Sequence, residues 1–234
     1  MNIINVIGKY KQSGREWYQR AVDTIQWITV HHTADTFNGT DDQVLKKEMT
    51  THVVNGWPGL SYHFFITKNG NIYQINNFTD VTWHDMVNWD SIGVALQGYF
   101  HTPSNEKPTY KQLQSLKWLL DQLCTQHSEF PADQKNVVGH RERSSTACPG
   151  DNLIGLVQDY RNKLGQVSWG NISPIPTPTP TPTPIDYQKL YTDLDIKFTA
   201  YKKDYIYKQS DLDAKVIQSK TDMINKIKSY LSTL

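Results

Sequence analysis

The chain has 234 residues, with 24 Lys+Arg against 23 Asp+Glu and a formal net charge of +1, a balance that offers no electrostatic case for nucleic acid or an anionic membrane surface as partner. Its hydrophobic content of 38% supports one ordinary core plus an appendage. Two cysteines exclude a disulfide framework, and no apolar run approaches the length of a membrane span, so membrane insertion is not expected.

Residues 1–20 are mixed in character, without a long apolar segment ending in a small-residue cleavage site; synthesis in the cytosol without a secretory signal is the expectation. Residues 25–30 read as a buried strand carrying His31 at its C-terminal end. Residues 41–55 read as a helix capped by Asp41 or Asp42, with Val44, Met49 and Val53 at helical spacing. Gly56-Trp57-Pro58-Gly59 is a loop. Strands are expected at 62–67 and 72–75 around a hairpin turn at Asn69-Gly70, and again at 91–98. Residues 109–126 form the clearest helix, with Leu113, Leu116, Leu120, Leu123 and Cys124 on one face; Cys124 is therefore a small core residue without a catalytic role. A short strand at 136–138 leads to His140, and a helix at 151–164 closes the domain. Strands interleaved with helices predict an α/β fold, a mixed central sheet flanked by helices.

The composition then changes. Pro174, Pro176, Pro178, Pro180, Pro182 and Pro184 alternate with Thr or Ile, too few backbone donors for a sheet and incompatible with a helix. The run predicts a polyproline II spacer; O-glycosylation is the other reading of Thr-Pro repeats. Beyond it, Tyr187, Tyr191, Leu194, Phe198, Tyr201 and Tyr205 follow heptad spacing, and Leu212, Val216, Met223, Ile227 and Tyr230 resume it in shifted phase. A helical unit of this kind must self-associate, fold back or dock on a surface. The expected division is a catalytic domain at 1–168, a Pro/Thr-rich linker at 169–185, and a small helical cell-wall-binding or oligomerisation unit at 186–234, with a homo-oligomer possible through the last.

The stretch Val137-Val138-Gly139-His140-Arg141-Glu142-Arg143-Ser144-Ser145-Thr146-Ala147-Cys148-Pro149-Gly150 joins a histidine to a cysteine, both first-rank zinc ligands. A third ligand is expected in Ile28-Thr29-Val30-His31-His32-Thr33-Ala34. A His/His/Cys set leaves a fourth position open, as catalytic zinc requires. Taken alone, either segment also fits a packed histidine or a buried free cysteine.

Val30-His31-His32-Thr33-Ala34, Ser61-Tyr62-His63-Phe64, Trp83-His84, Ser91-Ile92-Gly93-Val94 and Gly139-His140-Arg141 through Cys148-Pro149-Gly150 together resemble the zinc-dependent N-acetylmuramoyl-L-alanine amidases of the amidase-2 / peptidoglycan recognition protein family. The resemblance spans about residues 25–165, and with the proline linker it looks most like a phage endolysin. It implies Zn²⁺ as cofactor, held by His31, His140 and Cys148, and bacterial peptidoglycan as partner. It implies cleavage of the amide between N-acetylmuramic acid and L-alanine, where zinc acidifies water and polarises the carbonyl. His32, on the other side of the strand, packs and hydrogen-bonds. Tyr62 matches the family's active-site tyrosine, although alone it reads as a core residue. Thr146 stands where relatives carry lysine or threonine, and supplies a hydroxyl without fixed charge. Relatives with a glutamate on the strand near Val94 differ from this chain, which has Val94, Ala95, Leu96 and Gln97 there. His84 and Trp57 either line the substrate groove or pack loops. Members that only bind peptidoglycan lack the cysteine; a non-catalytic peptidoglycan-binding protein and a zinc peptidase cutting the stem peptide are the alternatives. The expected setting is the host cytoplasm, with action on the wall after membrane permeabilisation.

Overall fold

The computed structural model describes residues 1–12, 14–104, 106–126 and 132–169. Apart from Trp169, the expected linker lies outside the described residues, as does the expected helical unit at 186–234. In chain order the elements are β1 (Ile3–Asn5), β2 (Tyr18–Gln19), β3 (Trp27–His32), α1 (Asp41–Val54), β4 (Phe64–Ile66), β5 (Ile72–Gln74), β6 (Asp80–Val81), β7 (Ser91–Leu96), α2 (Tyr110–Gln126), β8 (Val137–Gly139) and α3 (Asp151–Asn162).

Six strands form one sheet in the order β1-β5-β4-β7-β3-β8. All neighbours are parallel except the hairpin β4–β5 around Asn69-Gly70, so the sheet is mixed, as expected. Strands β4 and β7 are buried at every position, which explains why they read as continuous apolar runs rather than alternating ones. Residues 1–20 supply β1, which pairs with β5, and β2, which pairs with β6 in a separate two-stranded ribbon; strands this short carry no periodic signal.

The period-2 alternation of side chains assigns the two faces. Ile28, Val30, Phe64, Ile66, Ile92, Val94 and Leu96 join Leu113, Leu116, Leu120 and Leu123 of α2 and Leu153 and Val157 of α3 in the main core, with Cys124 packed at its margin. Phe65 and Ala95 point to the other face, where Val44 and Leu45 of α1 and Tyr62 meet them. His31, one residue beyond Val30, falls on that second face.

Several boundaries differ from expectation: β4 begins at Phe64, so Tyr62 precedes the strand instead of opening it, β7 ends at Leu96 instead of Gly98, β8 runs one residue later than expected, and α3 ends at Asn162. Strand β3 runs through both histidines, because its ladder with β7 continues to His32 opposite Leu96. Helix α1 is capped by Thr40, neither by Asp41 nor by Asp42. The Thr40 hydroxyl accepts from the Gln43 N–H, and the Gln43 side chain accepts from the Thr40 N–H at 2.9 Å, a reciprocal capping box. Asp41 instead accepts from Thr67, Asn69, Asn71 and Tyr73 and ties the helix start to the β4–β5 hairpin.

Gly139, the last residue of β8, has no room for a side chain: a Cβ there would stand 2.4 Å from Ile154 Cδ1 and 2.9 Å from Pro149 Cδ. Gly139→Ala is expected to lower unfolding free energy by about 1–3 kcal/mol, read by urea denaturation. Adding Ile154→Val, which removes the Cδ1 methyl, should recover part of the loss; no recovery would place the strain elsewhere.

Candidate metal centre

The site is assembled at the C-terminal ends of two adjacent parallel strands. Strand β3 pairs with β8 in the register Val30 opposite Gly139, so the next residue on each, His31 and His140, emerges on the same edge. After β8 the chain makes a tight turn over His140–Glu142, in which the Gly139 N–H donates to Glu142 Oε2 at 2.8 Å and the Arg143 and Ser144 N–H groups donate to the His140 carbonyl. The loop then returns. The Arg141 N–H donates to the Cys148 carbonyl at 2.8 Å, and the His32 N–H donates to Cys148 Sγ at 3.4 Å. Cys148 is thereby drawn against the ends of both strands.

One ligand atom from each of His31, His140 and Cys148 lies within 4.8 Å of the others. Cys148 Sγ is 3.6 Å from His31 Nδ1. A tetrahedral ion with metal–sulfur and metal–nitrogen bonds of about 2.3 and 2.1 Å holds its S and N ligands about 3.6 Å apart, so this edge already has the dimension the ion requires. Burial, with the neighbouring charges of His140 and His84, pushes the His31 pKa well below its ordinary value, and burial also lowers that of His140; both imidazoles are neutral, the form that ligates. Burial raises the Cys148 thiol to about 12 despite the His32 N–H bond. The thiol is therefore protonated unless a cation shares the site, and a bound metal deprotonates a coordinating thiol.

The cleft over these residues has a volume of about 260 Å³ and is bordered by Trp57, Tyr62, His84, His101 and Thr146. The Tyr62 ring packs 5.2 Å from that of His31. Burial, and after it the nearby Cys148 sulfur, raise its phenol pKa well above the ordinary value, so Tyr62 keeps its proton and can donate it in a hydrogen bond. Thr146 is exposed at the rim; its hydroxyl accepts from the Cys148 N–H at 3.2 Å and retains its own proton to donate. Trp57 borders the cleft and packs on His52, ring centroids 4.8 Å apart. His84 lies deeper, with Nδ1 3.1 Å from His31 Nε2. His32 also borders the cleft but stands outside the ligand cluster: its Nδ1 accepts from the Phe100 N–H at 3.1 Å, and its ring packs against Tyr99, Phe100 and His101.

Several nearby groups escaped the sequence reading. His52 and Glu48, spaced i, i+4 on α1, are both buried; burial, then a hydrogen bond shared with Asp35, raises Glu48 to about 8, and burial lowers His52 to about 4. Their signal was a polar pair on the buried face of a helix. Asp85 follows His84 directly, with its side chain fully buried; its signal was an acid beside a ligand-type residue.

Residues 21–151 match the family described as N-acetylmuramoyl-L-alanine amidase. A peptidoglycan-recognition protein of Drosophila melanogaster is 31% identical over 147 residues, 61% of this chain and 78% of the fly protein. Peptidoglycan recognition protein 1 of Rattus norvegicus is 26% identical over 142 residues, 58% of this chain and 75% of that protein. Among solved structures, N-acetylmuramoyl-L-alanine amidase LysC from Clostridium intestinale superposes with a TM-score of 0.54 at 26% identity, covering 70% of this chain and 97% of that one. The Ph2119 endolysin from a Thermus scotoductus bacteriophage shares the fold, with a TM-score of 0.54 at 21% identity over 68% of this chain and 99% of that one. With a family match across more than half of its length, the chain belongs to the N-acetylmuramoyl-L-alanine amidase (amidase-2 / peptidoglycan recognition protein) family and has an endolysin-like fold.

Proposed function

We propose that the chain is a zinc-dependent N-acetylmuramoyl-L-alanine amidase that acts as a phage endolysin. The observation that carries the reading is the convergence of His31, His140 and Cys148 within 4.8 Å at the floor of an open cleft. A protein that only binds peptidoglycan has no use for a half-buried thiol set between two histidines at this point.

Zinc held by three protein ligands supplies Lewis-acid polarisation of a carbonyl and a water of lowered pKa. The chain's own groups do the rest. Hydrolysis breaks the C–N bond between the lactyl group and L-alanine; the oxygen of water joins the lactyl carbon, and the L-alanine amine leaves with a proton. Negative charge develops on the lactyl carbonyl oxygen in the transition state, and a positioned donor there lowers the barrier. Tyr62, proton-bearing and packed beside His31, is that donor, with the Thr146 hydroxyl at the rim as a second. Strand β7 offers Val94, Ala95 and Leu96, without a carboxylate, so proton transfer does not run through that strand. Trp57 at the cleft mouth gives a flat apolar face suited to a sugar ring. The enzyme reaches the wall from the cytoplasm once the membrane has been permeabilised.

Cys148→Ser replaces a thiolate with a neutral hydroxyl. Bound zinc, measured by elemental analysis, and lysis of purified walls should both be lost; a variant with full zinc and normal lysis would remove Cys148 from the site. Tyr62→Phe deletes one hydroxyl and leaves the ligand set intact. Zinc content should hold while turnover falls by on the order of 10²-fold, and an unchanged rate would make Tyr62 a packing residue only.

The segment beyond the linker is proposed to bind the wall through its aromatic stripe, which raises the effective concentration of the catalytic unit at its substrate. Truncation after Gly170 should leave zinc and cleavage of soluble muropeptides unchanged and slow the lysis of whole cells. Failure of the truncated protein on soluble muropeptide would contradict the modular arrangement.

A further inference from the structure

Each imidazole that ligates a metal has a second nitrogen, and what that nitrogen contacts sets the ring's tautomer and orientation. His31 turns Nδ1 toward Cys148 Sγ, 3.6 Å away, and Nε2 toward His84 Nδ1, 3.1 Å away. If Nδ1 gives its lone pair to an ion, Nε2 carries the hydrogen, and His84 Nδ1 must accept it. The proton of His84 is then on its own Nε2, and that atom is buried with no hydrogen-bond partner among the described residues. An orphaned buried donor is unfavourable. The fold nevertheless prepares a fitted place for this ring. A Cβ on Gly93 would come within 2.8 Å of His84 Cγ, so only glycine at that position of β7 admits the imidazole.

The next residue addresses the other ligand. Asp85 Oδ1 lies 3.9 Å from His140 Nε2, on a side chain that is wholly buried. Its oxygens are anchored by Thr29 Oγ1 at 3.0 Å, the Met86 N–H at 2.7 Å, Ser144 Oγ at 3.1 Å and the Arg143 guanidinium. Burial opposes the carboxylate's charge, but Arg143, His84 and the Met86 N–H together lower its pKa below the ordinary value. The backbone of the pair is fixed as well: the N–H groups of His84 and Asp85 both donate to Asn88 Oδ1, at 2.9 and 2.8 Å.

We propose that His84-Asp85 is a positioning dipeptide for the metal centre, each residue facing the Nε2 of one ligand histidine, which would leave Nδ1 of His31 and of His140 to hold an ion. The inference rests on the metal reading of the preceding subsection. His84 is thus a positioning residue rather than a contact for substrate. The device couples β7, through Gly93 and His84, to the ligand on β3, and couples the Asp85–Arg143 pair to the loop that carries Cys148.

The test uses the full chain. Zinc affinity is measured by competition with a chromophoric chelator for the wild type, His84→Phe and His84→Asn. Phenylalanine keeps a ring and removes the acceptor; asparagine restores an acceptor oxygen near the position of Nδ1. His84→Phe should bind zinc about 10–100-fold more weakly, and His84→Asn should recover most of that loss. Equal affinity in all three, or an asparagine variant as weak as phenylalanine, overturns the inference. A second measurement needs no variant: long-range ¹H–¹⁵N correlation of the zinc-loaded wild type should show His31 and His140 protonated at Nε2, and protonation at Nδ1 of either overturns it. A wild type that binds no zinc fails at the metal reading itself, which separates the two claims.

Discussion

Strand β3 lies between β7 and β8, parallel to both, and every feature of the site depends on that placement. Parallel strands end at the same edge, so side chains just beyond their last paired residues are neighbours in space although more than a hundred residues apart in sequence. Val30 opposite Gly139 puts His31 beside His140, their rings 4.5 Å apart. A slip of one residue would turn His31 into the packed core of Ile28 and Val30 and take it away from His140 and Cys148. The register is held by burial: Ile28, Val30, Ile92, Val94 and Val137 are fully enclosed, and none can be moved to the other face without loss of the main core.

A second constraint is electrostatic. His31, His84 and His140 meet at the floor of the cleft, with His32 and His52 close by, and burial lowers the pKa of all five. Mutual repulsion would make several charged imidazoles there untenable, so the histidines are kept as neutral donors. The same low-polarity surroundings hold the Cys148 thiol protonated. His31, His140 and Cys148 are thus uncharged groups whose ligand atoms lie within 4.8 Å of one another. A divalent ion held by His31, His140 and Cys148 would favour the thiolate over the thiol and would take one lone pair from each imidazole.

Much of this was legible in the sequence because the informative residues are clustered in short segments. The His-His pair at the end of an apolar run, and the histidine and cysteine flanking a loop closed by Pro149-Gly150, announce donors at strand ends. The leucine stripe of α2 is equally plain, since seventeen helical residues give several turns of periodicity. What sequence could not show follows from physical limits. Strands of two or three residues, such as β2 and β6, are shorter than any usable period. The cap at Thr40 was displaced by one position because Asp41 and Asp42 compete as capping types, and only the hairpin partners of Asp41 reveal its other task. The role of His84 depends on a 3.1 Å approach across the sheet, and that of Asp85 on a loop fifty-eight residues away; neither distance has a local signature.

The identity of the bond cleaved bears most directly on the central claim, that this cleft is an amidase centre. Purified peptidoglycan digested by the full chain, with and without prior zinc removal by chelation, can be resolved by mass spectrometry. The expected products are intact stem peptides with a free L-alanine amine and glycan strands bearing unsubstituted lactyl carboxylates, formed only by the zinc-containing protein. Cleavage within the stem peptide, or the same products from the chelated protein, would contradict it.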